Sequence, residues 1–177
     1  MTWRTLLALA AMLAPHPAMA APESCLQVSQ LLSPKIFRRY PARSGLGPWR
    51  EPDVRHGNAH LYRTRLREDA QGRPDFAGHY KMVALGCGAG TICPAIVNKA
   101  TGKVHFVAEF RNVGWELNYF AGAKDVERLT YRRDSRLLVV FGIRNEQERT
   151  GGVTLYDWRG GKPHIVRFVP SAKLCRE

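Results

Sequence analysis

The residues whose types and spacing could do chemistry gather in one stretch, residues 76–93, F-A-G-H-Y-K-M-V-A-L-G-C-G-A-G-T-I-C. His79 is the histidine beside its glycine loop. Successive backbone N–H groups in such a loop can form an anion-binding nest, and an imidazole next to it could move a proton. That is a weak acid–base site, enough for a small hydrolase. A histidine hydrogen-bonded at a strand end accounts for the same residue without chemistry, and takes precedence. Gly88, Ala89, Gly90 and Thr91, bracketed by Cys87 and Cys93, offer a second possibility: a stiff recognition loop whose binding costs little ordering entropy. A cystine-closed turn at a sheet edge explains them as well, and is the preferred account.

Other constellations fail on spacing or context. Gly86, Gly88 and Gly90 miss the dinucleotide fingerprint, because Thr91 stands where glycine or alanine is needed and Pro94 follows where a helix should begin. Cys87 and Cys93 are too far apart for a zinc knuckle, and oxidation would consume their thiolates. His56 and His60 have the i, i+4 spacing of a helical metal pair, but Gly57 and Asn58 between them favour a loop. Ser135 lies next to Asp134 without a nucleophile elbow around it. Glu146 and Glu148 sit in a charged loop. The sequence therefore offers no metal site, no cofactor and no catalytic residue beyond the weak candidate His79.

The positioning framework follows from the ends of the chain. Residues 1–20 read as a signal peptide, with Arg4, a short apolar core and the cleavage signature Ala18-Met19-Ala20. The apolar run is too short to cross a bilayer, and charges interrupt every later one, so no transmembrane segment is expected. Residues 21–177 then form a single β domain stapled by disulfides. Four cysteines in an oxidising compartment imply two bridges. Cys87–Cys93 are close in sequence, and Cys25–Cys175 lie at chain ends that commonly meet in a domain. Net charge is +12 in the 177-residue chain. That charge suits polyanionic surroundings, such as lipid headgroups, wall polymers or an acidic partner, with nucleic acid the least favoured.

Residues 24–33 predict a short N-terminal helix, and 34–57 an irregular basic loop region rich in Pro, Gly and Arg. Residues 61–67 alternate, with Tyr62, Thr64 and Leu66 on one side and Arg63, Arg65 and Arg67 on the other. As a strand, this would carry a basic stripe, the best single polyanion contact. Tyr80, Met82 and Ala84 alternate with Lys81, Val83 and Leu85. Residues 95–98 and 103–108 predict a hairpin with Val104, Phe106 and Ala108 inward and His105 outward. Residues 115–120 form a further strand. Residues 129–131 and 137–141 form a second hairpin, the latter strand covered on both faces. Residues 153–158 and 164–169 form a third. Successive hairpins indicate an all-β fold, an antiparallel meander arranged as a sandwich, barrel or small propeller-like sheet.

Phe76-Ala77-Gly78-x-Tyr80, Gly86-Cys87-Gly88 with Cys93, Thr101-Gly102-Lys103-Val104 and Asp134-Ser135-x-Leu137-Leu138 together resemble small exported proteobacterial proteins of unknown function. The resemblance spans residues 74–158 and implies periplasmic or secreted residence and an all-β core. It brings no catalytic residue. The expectation is a non-enzymatic envelope protein binding a polyanionic or protein partner through Arg63, Arg65 and Arg67 or the 88–91 loop. Two alternatives are a periplasmic inhibitor or immunity protein blocking a secreted cell-wall hydrolase, and the His79 hydrolase.

Overall fold

The computed structural model describes residues 25–88, 90–114 and 126–176. The segment read as a signal peptide, Ala89 and the strand expected at 115–120 lie outside the described residues. The two ends of the described chain are tied together. Cys25 and Cys175 are disulfide-bonded with Cα atoms 4.8 Å apart. Beside them the Leu26 amide donates to the Lys173 carbonyl at 2.9 Å, and the Cys175 amide donates back to Leu26 at 3.0 Å. The second bridge joins Cys87 to Cys93, as the spacing suggested.

Four short helices precede the sheet: α1 (Val28–Leu31), α2 (Pro34–Phe37), α3 (Gly57–Leu61) and α4 (Arg63–Asp69). Eight strands follow: β1 (Tyr80–Gly88), β2 (Thr91–Asn98), β3 (Val104–Phe106), β4 (Val113–Gly114), β5 (Leu129–Tyr131), β6 (Leu137–Arg144), β7 (Gly152–Arg159) and β8 (Lys162–Pro170). All pair antiparallel in one open sheet of order β1-β2-β4-β6-β7-β8, with β3 on β2 and β5 on β6. The fold is thus all-β, and the three expected hairpins are present.

Period-two alternation explains how the layers form. Tyr80 and Met82 of β1 and Ile96 of β2 share a core with Leu138 and Val140 of β6 and Tyr156 and Trp158 of β7. The sheet is therefore bent at two-residue β4, so that its halves close on a common interior. On the far side of β1 and β2, Val83, Leu85, Ala95 and Val97 pack under Ala59, Leu66 and Ala70 of the helical segment. On the far side of β6 and β7, Leu137, Val139, Phe141, Val153 and Leu155 pack under Val28, Leu31 and Phe37. Leu137–Phe141 is covered on both faces, as its unbroken apolar run required. At the bend, Gly142 has φ 143°, and a Cβ there would overlap the Gly114 carbonyl and come 2.8 Å from a Val113 methyl. Glycine lets β4 and β6 approach closely enough to pair.

Four local expectations are corrected. Residues 61–67 are not a strand: 63–69 are helix α4. Arg65 pairs with Glu68 at 3.5 Å and Asp69 at 3.0 Å, i+3 and i+4 contacts that only a helix provides. Leu66 and Ala70, four apart and fully buried, mark its inner face, and buried Lys99 caps its C-terminal end by donating to the Ala70 carbonyl at 2.8 Å. Second, α3 forms at 57–61 despite Gly57 and Asn58. His56 precedes it in extended conformation and His60 Nδ1 lies 3.2 Å from the Val54 carbonyl, so the two imidazoles make no metal pair. Third, His105 is not in solvent. It does alternate with Val104 and Phe106, but the bend brings Tyr80 and Trp158 against its ring at 6.0 and 5.7 Å. Ala108, expected inward, is exposed on a short 3-10 turn.

Candidate functional site

Phe76-Ala77-Gly78 builds one side of a broad concavity. Phe76 is fully buried in the shared core, its ring 6.0 Å from Trp158 and 6.3 Å from Tyr80. Ala77 at φ 42° and Gly78 at φ 83° then turn the chain back into β1. The Gly78 amide donates to Arg133 at 2.7 Å, and its carbonyl accepts from Gly45 at 3.1 Å. A Cβ at Gly78 would land on the Arg43 carbonyl. Glycine is required because loop residues 43–45 cross directly over the turn.

Between that loop, the 77–79 turn and the β7–β8 turn lies a cleft of about 840 Å³. Its wall includes Arg43, His79, Tyr80, Arg136, Trp158 and Arg159. Trp158 and Tyr80 are almost fully buried and meet edge to face at 5.5 Å, giving a rigid apolar floor. Arg136 is locked in place. Its Nε donates to Asp157 Oδ1 at 2.9 Å, Nη2 to Oδ2 at 3.3 Å, and Nη1 to the Pro41 carbonyl at 2.8 Å. Arg159 adds an ion pair to the same carboxylate at 3.2 Å while remaining largely exposed. The Asp157 hydrogen bonds hold the Arg136 guanidinium above its usual pKa. Three arginines thus line the cleft, no carboxylate does so among the described residues, and one carboxylate behind the wall serves two of them.

This arrangement can hold an anion. Guanidinium groups fixed by a carboxylate on one side still present donors on the other, in a fork that matches carboxylate or phosphate. His79 stacks on Tyr80 with centroids 4.3 Å apart, and burial lowers its pKa below the usual 6.5.

Of the residues singled out from sequence, only His79 lies here. Arg63 and Arg67 share one face of α4, with Arg65 turned away by about 200°. The stripe therefore does not exist; it came from treating a helix as a strand. Gly88, Gly90 and Thr91 form the tip of the β1–β2 hairpin, Gly88 pairing with Thr91. Ala89 lies outside the described residues. Ser135 is buried, its Oγ donating toward the Phe37 and Tyr40 carbonyls at 2.8 and 3.1 Å and accepting from the Leu137 amide, so it holds the loop and is no nucleophile. Glu146 accepts from Asn112 Nδ2 at 3.1 Å in the β6–β7 connection.

Sequence reasoning missed Arg43, Arg136 and Arg159, which it assigned to loops and turns. A signal was present. Once β6 and β7 pair with Leu137 opposite Asp157, Arg136 just before β6 falls beside Trp158 and Arg159 at the end of β7. A second concavity of about 600 Å³ is lined by Met82, Ala84, Ile92, Leu129 and Tyr131. There burial, with Asp75 and Glu127 nearby, pushes the Tyr131 hydroxyl up to about 12.

Comparison with protein-family models, curated proteins and solved structures finds no match for this chain. Two disulfides suit an oxidising, extracytoplasmic compartment. No described helix is long and apolar enough to cross a membrane.

Proposed function

We propose that this chain is a periplasmic or secreted binding protein that holds acidic groups of an envelope polymer in the Arg43–Arg136–Arg159 cleft. The observation behind this reading is the Asp157-braced pair of guanidinium groups over a rigid Tyr80–Trp158 floor. Preorganised donors bind without the ordering cost that free surface arginines incur. The net charge of +12 supports it by drawing polyanions toward the surface.

The test is titration of the purified protein with polygalacturonate and with polyphosphate over a salt series. Binding should weaken steeply with salt and be lost in Arg43→Glu/Arg159→Glu, both exposed positions that leave the core intact. Binding indifferent to salt, or retained in that variant, would overturn the reading. His79 in the cleft wall favours hydrolysis of the bound polymer as a second reading. Product release by the wild type, abolished in His79→Ala, would establish it; equal release by both would remove it.

A further inference from the structure

Strand β8, K-P-H-I-V-R-F-V-P, ends the sheet: it pairs with β7 on one side, and no strand lies on its other side among the described residues. Nine residues of edge backbone are a long template for strand addition. The side chains are unusual for an edge. Of the five exposed large hydrophobic residues in the described chain, three are here: Ile165 at 60%, Val166 at 43% and Phe168 at 36% exposure. Ile165 stands opposite Tyr156 and Phe168 opposite Thr154, so both project on the side of the sheet that carries the shared core. Arg144 lies over the Phe168 ring at 5.5 Å, holding it against the strand. Pro163, Pro170 and the register shift guard parts of this edge, yet Ile165, Val166 and Phe168 leave apolar surface beside its cations.

We infer that the free edge of β8 is a docking site for an extended acidic segment of a partner protein, which adds to the sheet as a further strand. Charge selects the occupant. Lys162 and Arg167 are exposed and β8 contains no acidic residue. Two-fold pairing with a second copy would set cations of both strands together without a counter-charge, which disfavours self-association. A segment alternating Asp or Glu with aliphatic residues satisfies both features at once. Its carboxylates meet Lys162 and Arg167, and its apolar side chains cover Ile165 and Phe168. Main-chain hydrogen bonds supply affinity while the alternate side chains supply specificity. The register shifts between Leu155 and Tyr156, and pairing with β7 is regular on both sides of it, over 162–165 and 167–170, so both stretches offer backbone to the added strand.

The probe is a short synthetic peptide alternating Glu with Val, compared with a Lys-for-Glu version and with one N-methylated at alternate residues. Amide shifts and fluorescence anisotropy are read on the purified full chain. The Glu peptide should shift amides of 162–170 and not those around Arg159, and should weaken roughly tenfold in Arg167→Glu and measurably in the milder Arg167→Gln. The Lys and N-methylated peptides should not bind. Equal binding by the N-methylated peptide would exclude a main-chain ladder and overturn the inference. So would shifts confined to the cleft, or no binding by the Glu peptide. Concentration-dependent dimerisation in sedimentation, competed away by the Glu peptide, would assign the edge to a second copy instead and overturn the inference.

Discussion

Two arginine groups in this molecule make opposite use of the same side chain. On α4, Arg63, Arg65 and Arg67 are close in sequence and exposed, and two of them are satisfied locally: Arg63 by the His60 carbonyl at 3.2 Å, Arg65 by Glu68 and Asp69. In the cleft, Arg43, Arg136 and Arg159 come from separate stretches and are brought into one wall by the fold, Arg136 and Arg159 paired to buried Asp157. Exposed pairs move freely and are screened, so they contribute little to stability or recognition. A braced guanidinium at a concave wall has lost its freedom already, and its field is less diluted by water. Spacing along the chain shows where charge is; only the tertiary structure shows where charge is held.

The largest test of that contrast is at the glycines supporting each region. Gly78→Val drives a side chain into the Arg43 carbonyl at φ 83° and should cost about 4 kcal/mol or prevent folding. Gly57→Val, at φ 55° with open space around it at the start of α3, should cost about 1–2 kcal/mol. Denaturant midpoints of the two variants decide it; equal losses would mean that the 76–78 turn is not a structural keystone.

Next in size is removal of one arginine from each group. Arg136→Ala leaves the Asp157 side chain, 8% exposed, with Arg159 as its remaining ion partner, and should cost about 2 kcal/mol. Adding Asp157→Asn should recover part of that. Arg65→Ala removes only exposed pairs and should change stability by less than about 0.5 kcal/mol. Chemical denaturation of the three variants checks both sides.

The smallest effect concerns pH. Burial, with the Lys103 charge adding to it, pulls His105 below its ordinary 6.5, and burial does the same to His79 at the cleft. Each then takes up a proton more readily in the unfolded chain. Their contribution is full above about pH 6.5 and is lost as pH falls below it. Denaturation midpoints should drop from neutral pH toward pH 5, and His105→Phe, which keeps a ring against Trp158, should flatten the slope.

Much of the fold was legible because strands with both faces covered leave plain traces. The unbroken run Leu137–Phe141 and the alternation of Tyr80 and Met82 with Val83 and Leu85 each admit one reading. Residues 61–67 did not, because alternation over so few residues fits both periods; the deciding contacts, Arg65 to Asp69 and Leu66 with Ala70, lie partly beyond that window. The His105 environment was hidden for another reason. Strand parity gives the face of a side chain, but not whether a bend in the sheet covers that face. The cleft was hidden likewise, since its arginines converge only once loop 41–45 has been laid over Gly78.

The most direct measurement is a polyphosphate affinity series on four proteins at fixed low salt: wild type, Arg43→Glu/Arg159→Glu, Arg63→Glu/Arg67→Glu, and the combination. Both double variants change net charge equally, so bulk attraction falls equally. A loss of roughly a hundredfold in the cleft variant against a few-fold in the helix variant is the predicted result. Equal losses in the two would show that total charge, not the braced cleft, governs binding, and would contradict the account.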